Sequence, residues 1–201
     1  MHLYLTNHSH LNTSYTNEEG QILYRVETQG YFNKVSTISR VVPNNSVNKK
    51  KPSLQDEFGE LGRVEFHTLS PSVLRFGGRR HETNTFFSKK GLSGYGRNHA
   101  FTGPDGREYM WKLGLKVPEL LINNDDQTPV ATFHRGRFGI FRKSQPASLE
   151  IYPEGMHMLD LIMVTFVYIQ KLRNDREGQS GFDGGGGGDG GGGDGGGGGG
   201  E

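Results

Sequence analysis

The sequence predicts a mainly β domain: an antiparallel barrel or strongly curved sheet wrapped around one hydrophobic C-terminal helix. Three observations carry that reading. From Leu3 to Tyr152, apolar and polar residues alternate in short runs broken by Gly, Pro, Asn and Asp. Near 156–173 the alternation stops, and MHMLDLIMVTFVYIQKLR runs without Gly or Pro, as a helix does. That run is also the one strongly apolar element able to cover the apolar faces of so many short strands. Behind it, Gly178 to Glu201 is almost all Gly with Asp183, Asp189 and Asp194 spaced through it. A tail that buries so little apolar area cannot offset the cost of ordering. The expected organisation is one domain over 1–177 and a disordered Gly/Asp tail over 178–201.

Taken in order, LYLTN, QILYRVET and KVSTISRVV read as strands, with a polar turn from Thr16 to Gly20. Residues 43–62 (PNNSVNKKKPSLQDEFGELG) lack periodicity and read as a surface loop. GRVEFHTL, SVLRF and a short TNTFF run restore strand character. The clearest hairpin is HAFTGPDGREYMWKLG: Pro104-Asp105-Gly106 makes the turn, and Tyr109, Trp111 and Leu113 alternate onto one buried face. ELLINND, PVATFHRG, FGIFRK and ASLEIY complete the strands. In the helix, His157, Asp160, Val164, Tyr168 and Lys171 form one narrow stripe and the rest of the circumference is apolar, so strands must enclose it on most sides. Leu161 to Ile169 is far shorter than the roughly 20 residues that span a bilayer, so no transmembrane span is expected.

Composition excludes several classes of function. With no cysteine there is no disulfide framework, thiol catalysis or Cys-ligated metal. A net charge of +1 supplies no general attraction to nucleic acid, and no specific nucleic-acid binding is expected. The N-terminus lacks a basic region followed by a continuous apolar stretch, so the reading is a cytoplasmic or nuclear protein. The three Asn-X-Ser sequons at Asn7, Asn12 and Asn44 then read as chance matches.

Candidate chemistry is sparse. His2, His8 and His10 share the parity of one strand face, which raises a divalent-metal reading, but no carboxylate lies near them in sequence and no HExxH spacing occurs, so no metal site is expected there; His67, His99 and His134 read as ordinary surface or hydrogen-bonded residues, and His157 and Asp160 as a structural pair. Gly91 to Gly96 matches neither phosphate-loop spacing and precedes a hairpin rather than a helix, so it reads as a mobile loop. No nucleophile elbow or triad is suggested. No catalytic residue, cofactor or metal is therefore expected. The one charge feature is the stretch from Arg75 to Lys116, with nine basic residues against Glu82, Asp105 and Glu108. Arg75, Arg79, Arg80, Lys89, Lys90, Arg97, Arg107 and Lys112 form a candidate patch for an anionic lipid or an acidic protein, with Phe86 and Phe87 beside Lys89-Lys90.

This ordering of strands and helix resembles the tubby, phospholipid-scramblase and LURP-one superfamily, in which a closed antiparallel barrel surrounds a hydrophobic C-terminal helix. FTGPDGREYMWKL, VATFHRG and ASLEIYPEGMHMLDLIMVTFVYIQKLRNDRE also resemble a fungal family defined by a domain of unknown function (domain of unknown function 6593). The resemblance covers most of 1–177. The superfamily implies lipid contact for some members; the narrower family implies no assigned activity. The expected function is a non-enzymatic binding module. The alternatives are a small-ligand carrier or enzyme with a pocket beside the helix at His157, Asp160 and Tyr168, and a scaffold domain.

Overall fold

The computed structural model describes residues 1–31, 33–42, 57–93, 96–114, 116–137 and 145–182. β1 (His2–Leu5), β2 (Thr13–Thr16), β3 (Ile22–Gln29), β4 (Val35–Val42), β5 (Glu57–Glu65), β6 (Val73–Phe76) and β7 (Arg79–Glu82) form one antiparallel meander. After the single helical turn α1 (Thr83–Phe86), a second meander runs through β8 (Ser88–Ser93), β9 (Gly96–Thr102), β10 (Glu108–Lys112), β11 (Glu119–Ile122), β12 (Pro129–His134) and β13 (Ser148–Ile151). A 3₁₀ turn (Pro153–Met158) then leads into α2 (Leu159–Phe182). β1 pairs with both β2 and β13, which makes one 13-stranded sheet of the two meanders.

β7 and β8 are the ends of that sheet and do not pair with each other among the described residues, so the sheet is curved but not closed. Side chains fill the seam where backbone pairing is missing. Phe86 packs edge-on against Phe76 (5.7 Å between centroids) and stacks on Phe101 (5.6 Å), and Phe87 stacks on Tyr168 of α2 at 5.5 Å. Such aromatic pairs add stabilisation beyond their buried area.

α2 is enclosed as its composition requires. Ile162, Met163, Val164, Phe166, Val167 and Ile169 are all buried, against Val26, Ile38, Leu74, Trp111, Leu120 and Phe133 of the sheet. The one tryptophan keeps its donor satisfied, because Trp111 Nε1 donates to Thr165 Oγ1 at 3.0 Å and that hydroxyl donates to Leu161 O at 2.8 Å. β5 crosses close to the helix at Gly62. A Cβ there would lie 2.5 Å from Arg75 O and 3.3 Å from Val164 Cγ2, so a side chain would push strand and helix apart.

Several expectations are corrected. Helix α2 starts at Leu159, because 153–158 is 3₁₀, and it continues to Phe182, so 178–182 are helical rather than tail. The tail from 183 lies outside the described residues, as do FGIFRK and most of the loop read at 43–62, whose last six residues are the start of β5. TNTFF is the turn α1 followed by a buried Phe87 rather than a strand. β2, β7 and β8 are strands that periodicity does not reveal: they are short and polar, and neighbouring strands hold them. The 103–107 hairpin forms as read, and Tyr109, Trp111 and Leu113 are buried.

Candidate functional site

Strand register gathers a set of loops at one end of the fold. Val35 lies opposite Glu65, Glu65 opposite Val73, and Val73 opposite Glu82, so the β3–β4 turn, the β5–β6 loop and α1 share that end. The C-terminal half of α2 emerges among them, and the β8–β9 hairpin adjoins it: a Cβ at Gly96 would touch Arg176. Between these elements lies a groove of about 490 Å³, lined by Lys34, Phe66, Thr83, Lys89, Tyr168 and Lys171 among others, with His99 in its wall.

The groove has a cationic rim and a neutral floor. Lys34 and Lys89 have no carboxylate partner among the described residues. Lys171 pairs with Asp175, four residues on, and its Nζ lies 5.8 Å from the Phe66 ring. His99 is buried against Phe87 and Tyr168, and its Nδ1 finds no hydrogen-bond partner among the described residues. Burial, followed by the charge of Arg176, holds its pKa down at about 4. His10 lies buried beside Asn174 on α2, and burial together with Lys171 also lowers its pKa to about 4.

A pH dependence follows. Both imidazoles ordinarily titrate near 6.5 and are held lower in the fold, so the folded state resists protonating them. The stability they contribute is complete above about pH 6.5 and is lost as pH falls towards about 4, up to roughly 3 kcal/mol each. Urea unfolding at pH 7 and pH 4.5 should show that loss, and His99→Phe should remove its share.

Three apolar side chains project at the same end of the fold. Leu69, whose neighbours Thr68 and Ser70 line the groove, is 100% exposed; Tyr31, in the turn that carries Lys34, is 86% exposed; and Leu92, on the β8–β9 hairpin, is 77% exposed. The only other exposed large hydrophobic among the described residues is Met156, at 45%, in the 3₁₀ turn at the opposite end of α2.

The structure divides the sequence-derived basic patch. Arg75 pairs with Glu65, Arg80 with Glu82, Lys90 with Glu108 and Arg107 with Asp105, while Lys112 donates to Gln127. Arg63, Arg75 and Arg80 sit side by side across β5, β6 and β7, and each has its own carboxylate. Arg79 lies beside the Gly77-Gly78 turn, away from the groove. Lys89 and Arg97 are the members that fall at the apolar rim, Arg97 directly opposite Leu92. Sequence reasoning missed Lys34, Lys171, Leu69, Tyr31 and Leu92. The available signal was apolar residues standing alone in polar turns, as in QGYFN and HTLSPS.

The residues proposed for a pocket beside the helix do not converge. His157 contacts Asp105 (3.3 Å) and not Asp160, because a 3₁₀ turn carries it off the α-helical stripe. Asp160 accepts from Tyr24 Oη (2.9 Å) and Arg40 Nη1 (2.7 Å), and Tyr168 stacks on Phe87. Likewise His2, His8 and His10 form no shared face, since His10 is buried and His2 stands on the outer surface of β1.

An open antiparallel sheet curved around a buried C-terminal helix, with a cationic groove and apolar loops at one end, defines the class. The chain belongs to a family of unknown function (DUF6593), whose model matches residues 8–175. No curated protein and no solved structure matches it.

Proposed function

We propose that this chain is a non-enzymatic binding module that attaches peripherally to anionic lipid surfaces through the groove end of the fold. The observation that carries the reading is the coincidence of Leu69, Leu92 and Tyr31 with Lys34, Lys89 and Arg97 at one end of the fold. Apolar insertion combined with basic contact is how peripheral proteins hold a bilayer. Each basic residue near an anionic surface contributes about 1 kcal/mol, and each leucine withdrawn from water about 1.5–3 kcal/mol. Those magnitudes give reversible attachment, and no helix among the described residues is long and apolar enough to cross a membrane. The resemblance to the tubby, scramblase and LURP-one superfamily, some of whose members contact lipid, points the same way. Binding without catalysis is in keeping with His157, Asp160 and Tyr168 each being tied to a different partner.

Co-sedimentation with vesicles tests it. The protein should pellet with phosphatidylserine-containing vesicles at low salt and remain in solution with neutral ones, and high salt should release it. Lys34→Glu/Lys89→Glu and Leu69→Glu/Leu92→Glu should each weaken binding by about tenfold or more. Failure to bind anionic vesicles at low salt overturns the lipid reading, and capture of an acidic protein by the same lysines would replace it.

A further inference from the structure

We propose that His2, His134 and Glu150 form a binding site for a divalent transition-metal ion of the zinc type on the outer face of the sheet. Three adjacent strands supply them: β1, β13 and β12. His2 lies directly opposite Glu150, and His134 lies opposite Ser148, two residues further along the same face of β13. One ligand atom from each residue lies within 4.8 Å of the others. His134 Nε2 is 2.8 Å from Glu150 Oε2, and His2 Nε2 is 3.7 Å from Glu150 Oε1.

Two imidazole nitrogens and a carboxylate oxygen match a borderline ion, which takes nitrogen and oxygen donors at about 2 Å. Drawing three atoms already this close onto one ion needs side-chain adjustment alone, since strand pairing fixes the backbones. The surroundings orient the donors as a metal site requires. Tyr152 Oη donates to Glu150 Oε2 at 3.2 Å, Ser148 Oγ lies 3.5 Å from His2 Nδ1, and the His2 ring stacks on Tyr4. Nδ1 of His2 is thus occupied and Nε2 is left to face the carboxylate. To ligate, His134 presents Nε2 as a bare acceptor, in the tautomer whose ring proton sits on Nδ1.

Three protein ligands leave a fourth position free. His2 and His134 also line a depression of about 880 Å³ rimmed by Lys116, Arg135 and Arg137, so an exchangeable ligand has access to that position. Sequence alone does not assemble the trio, because its members are separated by 132 and 16 positions and the carboxylate absent from the sequence around His2 comes from β13.

The site is independent of the membrane reading and is tested on the full chain without an affinity tag. After chelator treatment, Zn²⁺ titrated in competition with a chromophoric chelator should bind with one equivalent, and Co²⁺ should give a visible spectrum of low-symmetry nitrogen and oxygen coordination. His134→Ala and Glu150→Gln should each weaken binding by about 100-fold or more, and Tyr152→Phe, which only positions Glu150, by about tenfold. His8→Ala should leave binding unchanged. Thermal unfolding of the variants in EDTA separates loss of metal from loss of fold, and the wild-type Co²⁺ spectrum stands without any variant. Absence of stoichiometric binding to the wild type, or binding that survives both His134→Ala and Glu150→Gln, overturns the proposal.

Discussion

Replacing Arg173 with alanine is expected to cost about 3–5 kcal/mol of stability, among the largest effects of any single change in the chain. The side chain is 1% exposed, and its donors are spent on two backbone carbonyls and one carboxylate. Nε donates to Leu113 O at 3.0 Å and Nη2 to Lys116 O at 2.9 Å, while Nη1 meets Glu177 at 2.7 Å. These bonds pin the C-terminal half of α2 to the segment between β10 and β11. Alanine strands two carbonyls, each costing about 1–3 kcal/mol, and leaves a void where the side chain packed. Arg173→Met separates the contributions, since it refills the volume but supplies no donor and should recover only the packing part. Lysine offers one point of charge in place of a planar fork and should not rescue. Urea unfolding measures the loss. Hydrogen exchange should show the last turns of α2 opening first.

Trp111→Ala should cost a comparable 3–5 kcal/mol. Trp111 is fully buried, packs against Phe166 at 6.0 Å between centroids, and is the point where β10 meets the middle of α2. Its indole donor is committed to Thr165, and so the opposite change, Thr165→Val, leaves that N–H unpaired in the core at about 1–3 kcal/mol. Trp111→Phe should fall between wild type and Trp111→Ala. Because this is the only tryptophan, its emission reports on the core directly in Thr165→Val.

Helix α2 is legible because helical period and strand period differ, and because an element apolar over most of its circumference must be enclosed on most sides. The 103–107 turn was legible from Pro104-Asp105-Gly106, where Gly106 takes a φ of 79°. The polar strand β7 was not, since RRHE has no apolar alternation and lies in the sheet through its pairing with β6. α1 escaped because four residues carry too little periodicity to separate helix from strand. The candidate site was less legible still. Arg75 reads as free charge in sequence because its carboxylate, Glu65, lies ten residues earlier and reaches it only across the paired strands β5 and β6. Lys34 and Leu69 belong to two separate turns and Leu92 to the end of β8, and only strand register and the approach of Gly96 to Arg176 on α2 bring them to one end. The same holds for His2 with His134 and Glu150.

The central claim is that the groove end of the fold, and not its opposite end, meets the membrane. The chain has no cysteine, so single substitutions Leu69→Cys, Leu92→Cys and Met156→Cys each place one environment-sensitive fluorophore. On adding phosphatidylserine vesicles, labels at 69 and 92 should shift to the blue and be quenched by lipid-borne quenchers, while the label at 156 should stay as in water. A response at 156 equal to that at 69 and 92, or silence at 69 and 92 while the protein pellets with the vesicles, would contradict the account.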